Sequence, residues 1–211
     1  MTEASVRLPV PPLLVISDRR QTRLPLEQVA KGVFEGGGRW FSLREKDLPP
    51  AERRALLGRL VALGRDFGAV VTVHEDIDAA AAADADGVHL PSAGNVAAAR
   101  SQRPHGLIGA SAHSADEASA LLRAGADYVT VSPIFVTLSK PGYGPALGLD
   151  GLGCIVAEAP GPVVALGGIT DGNAAACLAA GARGIAVMGE VMRSEDPQVA
   201  VERLLHAIST E

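Results

Sequence analysis

The sequence predicts an α/β fold, a single (β/α)8 TIM barrel, from three observations. Eight short β-branched runs alternate with Ala- and Leu-rich stretches, and strands alternating with helices imply a parallel sheet. The intervening segments are long enough for one crossover helix each, and eight such units point to closure into a ring. The Gly-rich fingerprint of an open dinucleotide-binding sheet is missing after the first run, where Ser17-Asp18-Arg19-Arg20 stands instead.

The strands are expected at Leu13–Asp18, Arg39–Glu45, Ala69–Glu75, Gly87–Pro91, Leu107–His113, Tyr128–Ile134, Val163–Ile169 and Gly184–Val191. Helices are expected at Leu26–Glu35, Pro50–Asp66, Ser114–Ala124, Asp171–Ala180 and Pro197–Ile208. A short helix follows the fourth strand near Asn95–Ser101, and the helix after the sixth begins near Leu149, beyond a long loop. Ala85-Asp86-Gly87-Val88 is echoed at Ala124–Tyr128 and Ala180–Gly184, each a tight turn from helix to strand where Gly relieves the backbone. The chain reads as one barrel domain over 1–211, with 1–12 as an N-terminal extension.

Composition agrees. Of 211 residues 47% are hydrophobic but only 3% aromatic, which suits parallel strands covered by Ala-rich helices. Net charge is −5, without a basic block or aromatic platform, so no nucleic-acid partner is expected. An anionic ligand would therefore need local positive groups or backbone N–H donors. Cys154 and Cys177 have no CxxC or zinc spacing and lie in apolar stretches, as buried free thiols would. No signal-like run opens the chain and no stretch is long and apolar enough to span a bilayer, so a cytoplasmic location without membrane partners is expected. A homo-oligomer is compatible with all of this.

In a barrel the site forms at the carboxyl ends of the strands. Gly167, Gly168 and Gly189 stand after the seventh and eighth strands, where glycine turns let backbone N–H groups approach a phosphate; the plainer reading is two tight turns. Arg44 and Lys46 lie two apart at a strand end, so both side chains face one side and can converge on an anion. The plainer reading there is a surface ion pair with Glu45 or Asp47. Thr137, Ser139 and Lys140 lie in a long loop that could close over a ligand or simply connect. His113 can act as acid or base, cap the next helix or bond the backbone. His74 and Glu75 are adjacent, so only one faces the mouth unless the strand has already ended. His89 reads as a satisfied layer residue, His105 and His206 as surface, and Trp40 and Phe41 as packing.

Several segments, in this order, resemble the thiamine phosphate synthase/TenI family over about Leu13 to Pro197: Leu43–Leu48, Ala85–Leu90, Ile108–Ser114, Pro133–Pro141, Gly144–Leu149 and Val164–Thr170. The resemblance implies the same barrel and phosphorylated thiazole or pyrimidine ligands. It implies that Arg44 and Lys46 hold a diphosphate that Lys140 also reaches, that Thr137 and Ser139 flank the thiazole, and that Gly168 and the Met188-Gly189 turn hold its phosphate. Ser42, Ser111 and Gly167 are counted with these as ligand-binding positions.

The departures bear on the reaction. Ser42 stands where the synthase pattern has Gln, His74-Glu75 where it has Asn-Asp, and Gly94 where it has a second metal-binding Asp. Pro91-Ser92 resembles the TenI branch, and the histidine credited there with proton transfer falls at Pro133. The leading expectation is a TenI-like enzyme that binds thiazole phosphate and tautomerises its carboxylate, with His74, Glu75 or His113 as acid/base and no cofactor required. The alternative is thiamine phosphate synthase, coupling a pyrimidine methyl diphosphate to a thiazole phosphate with Mg2+ at a remodelled site whose one carboxylate is Glu75. A third expectation is a non-catalytic ligand-binding or regulatory homologue; another phosphate-binding barrel isomerase is disfavoured by the motif order.

Overall fold

The computed structural model describes residues 8–137 and 145–209. Its strands are β1 (Leu13–Ile16), β2 (Trp40–Leu43), β3 (Val70–His74), β4 (Gly87–Leu90), β5 (Leu107–Ala112), β6 (Tyr128–Val131), β7 (Val163–Leu166) and β8 (Gly184–Val187). Each pairs in parallel with the next, and β8 returns to β1 through Leu13–Ile185 and Val15–Val187, closing the barrel. Both faces of such strands are covered, which is why they read as near-continuous apolar runs.

The helices are α1 (Leu26–Glu35), α2 (Pro50–Asp66), α3 (Ile77–Ala82), α4 (Val96–Gln102), α5 (Ala115–Arg123), α6 (Gly148–Glu158), α7 (Ala174–Ala179), α8 (Gly189–Met192) and α9 (Pro197–Ser209). Their starts follow local chemistry. Pro50 opens α2, while Asp76, Asn95 and Ser114 accept from backbone N–H groups of α3, α4 and α5. Glu117 completes the α5 cap by accepting from the His113 N–H at 2.8 Å.

Side-chain alternation divides the core. Leu13, Val15, Phe41 and Leu43 point outward into the helical shell. Leu14, Ile16, Trp40, Tyr128, Val164 and Ala186 pack together in the barrel interior. Trp40 meets Tyr128 edge to face, with centroids 4.8 Å apart. Gly109 makes room for that tyrosine, since a Cβ there would collide with the phenol ring.

The strands end earlier than the sequence suggests. Arg44, Glu75, His113 and Gly167–Gly168 lie beyond them, and the expected eighth strand to Val191 divides into β8 and the short α8. The chain turns at the rim as soon as ladder pairing stops. Cys177 is buried as expected, but Cys154 is exposed on α6 because its side chain falls off the barrel-facing stripe. Among the described residues, no helix is long and apolar enough to cross a membrane.

Candidate active site

A cavity of ≈ 740 Å³ opens at the carboxyl ends of the strands. Its floor is the last inward-facing layer of the barrel: Ile16, Ser42, His74, His89, Ser111, Leu166 and Ala186. The floor is polar along β2 to β5 and apolar along β7, β8 and β1. His89 is buried, with Nδ1 3.1 Å from Tyr128 Oη, and Nε2 3.1 Å from Ser111 Oγ and 3.3 Å from Thr130 Oγ1. Burial, reinforced by the neighbouring charges of His74 and Arg44, pushes its pKa down to about 3, so it is a neutral hydrogen-bonding imidazole. The sequence reading of a satisfied layer residue fits, although His89 also faces the cavity.

The turn after β7 is one that only glycine fits. Gly167 and Gly168 have φ of 99° and 65°, and a Cβ at Gly168 would lie 2.6 Å from the Val136 carbonyl oxygen. The Gly167 carbonyl accepts from the Phe135 N–H at 3.0 Å and the Gly168 carbonyl from Asn173 Nδ2 at 2.9 Å. In a trans peptide the N–H points opposite to its C=O, so the Gly168 and Ile169 amides are turned away from those partners. Met188 and Gly189, after β8, line the same cavity. Arg193, one turn further, places its guanidinium beside Gly189 and donates to Gln21 Oε1.

Arg44 and Lys46 line the cavity from the end of β2. Glu45 between them turns the other way, buried, accepting from Ser17 Oγ at 2.7 Å and the Arg19 N–H at 3.0 Å. Burial raises the Glu45 pKa despite these donors. Ser17 also accepts from the Arg44 N–H at 2.8 Å, which fixes the turn carrying both cations. The ion pair weighed for Lys46 exists with a different partner: Nζ lies 3.1 Å from Glu75, while Asp47 is taken by Arg19 and Arg20.

His74 faces the cavity and its ring stacks on His89 at 5.6 Å. Glu75 follows with φ 64°, its strand having ended, and lines a neighbouring cavity of ≈ 400 Å³ together with Lys46 and His74. His113 lines the larger cavity, and its Nδ1 lies 2.8 Å from the Ser132 carbonyl oxygen. Only a protonated Nδ1 can donate to a carbonyl, which fixes the tautomer of a neutral ring. Capping falls to Ser114 and not to the His113 side chain. Thr137 lines the cavity; Ser139 and Lys140 lie outside the described residues.

The Mg2+ that the resemblance implies for coupling needs carboxylates in near-octahedral reach. Among the described residues, no group of three His, Cys, Asp or Glu side chains could hold a metal. Asp76 is taken by Arg53 and by the cap of α3, Glu45 by Ser17 and Arg19, and Glu75 by Lys46. Of these carboxylates Glu75, in an exposed pair, is the one left to meet Mg2+ beside a bound diphosphate, whose oxygens would supply much of the remaining coordination.

Sequence reasoning missed Arg193, Asp18 and Thr170 as lining residues. The strand expected to run on to Val191 hides Arg193; the observed helix over Gly189–Met192 puts it one turn beyond Gly189.

The thiamine monophosphate synthase family model matches residues 13–191. A thiamine-phosphate synthase of Roseiflexus sp. is 38% identical, over 92% of this chain and 83% of its own length. That of Moorella thermoacetica is 36% identical, over 93% and 94%. The solved thiamine phosphate pyrophosphorylase of Pyrococcus furiosus superposes with TM-score 0.85 at 36% identity, covering 93% of this chain and 95% of that one. With match and fold in agreement, the chain belongs to the thiamine monophosphate synthase family.

Proposed function

We propose that the cavity holds a thiazole phosphate by its glycine turns and couples it to a pyrimidine methyl diphosphate held by Arg44 and Lys46. The observation that carries this is that Arg44 and Lys46 on one side of β1, and the glycine turns on the other, line one cavity above a floor that is polar on one side and apolar on the other. A flat heterocycle with a polar edge suits that floor. In coupling, the carbon–oxygen bond to the diphosphate breaks and the thiazole nitrogen takes the methylene carbon. Charge then collects on the leaving diphosphate, beside Arg44 and Lys46. The sequence alone put tautomerisation first; the names of the relatives move coupling ahead of it.

A second reading is proton transfer on a thiazole carboxylate phosphate. It is favoured by the fixed tautomer of His113, which lines the cavity. Both reactions should be assayed side by side on the full chain, with and without Mg2+. Coupled product is the expected result. Tautomerisation alone would put the second reading first. Thermal protection by thiazole phosphate without either turnover would leave a binding protein. Neither binding nor turnover would overturn the function.

A further inference from the structure

We propose that Glu75 is a built-in counter-ion for Lys46, which yields that ammonium to a phosphoryl group when a polyanion binds. The inference rests on the reading of the cavity given above and concerns its diphosphate end.

Lys46 lines both cavities, whereas Glu75 lines only the smaller one. Glu75 therefore reaches the ammonium from outside the ligand space, at 3.1 Å, without blocking it. Its side chain is 42% exposed and that of Lys46 50%. A pair so wet is weak and exchanges its anion readily. A phosphoryl group carries more charge than one carboxylate and accepts through three oxygens.

The carboxylate is nonetheless deliberately placed. Glu75 is one of two non-glycine residues with positive φ among those described. Its N–H donates to the His89 carbonyl at 3.0 Å, and the next N–H, of Asp76, donates to that of His74 at 2.9 Å. Asp76 is held in turn by Arg53 at 2.6 Å. A left-handed Glu persists only where its surroundings dictate it, and such positions cluster at functional sites. The smaller cavity is also lined by Glu45, Asp76 and Asp78, so without a cation this flank would repel an incoming diphosphate.

The sign of one substitution separates this role from metal binding. Inorganic diphosphate is titrated calorimetrically into the full chain, in EDTA and in Mg2+, for wild type, Glu75→Gln, Lys46→Met and the double variant. Glu75→Gln should bind about two- to five-fold tighter in EDTA, the range of an exposed ion pair. Lys46→Met should bind more weakly, and in its presence the gain from Glu75→Gln should vanish. Unchanged or weaker binding by Glu75→Gln in EDTA overturns the proposal, as does a gain that survives in the double variant. If thiazole phosphate binds but diphosphate binds to none of the four proteins, the counter-ion role falls while the thiazole site stands. If neither ligand binds, the proposed function falls and takes this role with it. Circular dichroism melts identify any variant that fails to fold; for such a protein Lys46→Gln replaces Lys46→Met.

Discussion

The imidazole of His74 lies over that of His89, with centroids 5.6 Å apart and planes 22° from parallel. A charge on His74 therefore penalises one on His89, which is in addition buried against Tyr128, Ser111 and Thr130. Its folded pKa of about 3 lies below the 6.5 of the unfolded chain. Between these values the unfolded chain binds a proton that the fold refuses. The contribution of neutral His89 is thus complete above pH 6.5, declines as pH falls toward 3, and is constant below. The slope is about 1.4 kcal/mol per pH unit. Urea unfolding should show almost none of this slope near pH 7.5 and approach it toward pH 5.0, still above most carboxylate titrations. His89→Gln should flatten it; equal slopes in both proteins would remove His89 as its source.

His113 should matter in proportion to the proton transferred. Its Nδ1–H donates to the Ser132 carbonyl, and the ring lines the cavity. If the protein tautomerises thiazole carboxylate phosphate, His113→Asn should lower that rate roughly 10²–10⁴-fold, the usual worth of a general base. Thiazole phosphate affinity should stay near wild type. The coupling rate should move far less. Equal loss in both reactions would mean that His113 only shapes the cavity.

The phosphate turn can be tested by adding one methyl group. Gly168→Ala must fit a Cβ at φ 65°, 2.6 Å from the Val136 oxygen and 2.8 Å from Phe135 Cβ. Backbone has to shift, so stability should fall by about 1–3 kcal/mol and phosphate affinity should fall with it. Gly58→Ala is the control. A Cβ there meets nothing within 4 Å inside α2, and it should stabilise by about 1 kcal/mol without touching affinity. Paired melts and phosphate titrations decide; a Gly168→Ala protein with unaltered affinity would take the turn out of the site.

The barrel was legible because its signals are local. Each β-branched run is bounded by an Ala-rich helix, and this alternation leaves few topologies. Residues at the strand ends were legible too, since ending a strand at the mouth of a closed ring brings Ser42, His74, Ser111 and Gly168 to one cavity. The partner of Lys46 was not legible. Glu75 lies just past the end of another strand, and its side chain is aimed by a left-handed turn that neither propensity nor alternation foretells for Glu. Nor was Cys154, whose exposure depends on how α6 is rotated against the barrel. Arg193 was lost for a third reason: Gly189–Met192 is short and apolar, and periodicity cannot separate strand from helix over so few residues.

Arg193 is where that omission can be tested. Its guanidinium stands beside Gly189, in the cavity wall shared with Gly168 and Thr170, and is steadied by Gln21, which itself donates to Asp18 Oδ2 at 2.7 Å. A guanidinium in that position can bond two oxygens of a phosphate at once, which a Lys ammonium cannot reproduce in the same geometry. Arg193→Gln should therefore weaken thiazole phosphate about tenfold, in line with roughly 1.5–3 kcal/mol for a charged hydrogen bond reduced by solvent screening. Arg193→Lys should recover part of the loss. The unphosphorylated thiazole alcohol should bind all three proteins alike, and because the side chain is exposed the melting temperature should hardly move. The decisive quantity is the ratio of phosphate to alcohol affinity. A ratio unchanged by Arg193→Gln would mean that the glycine turns hold the phosphate without a cation.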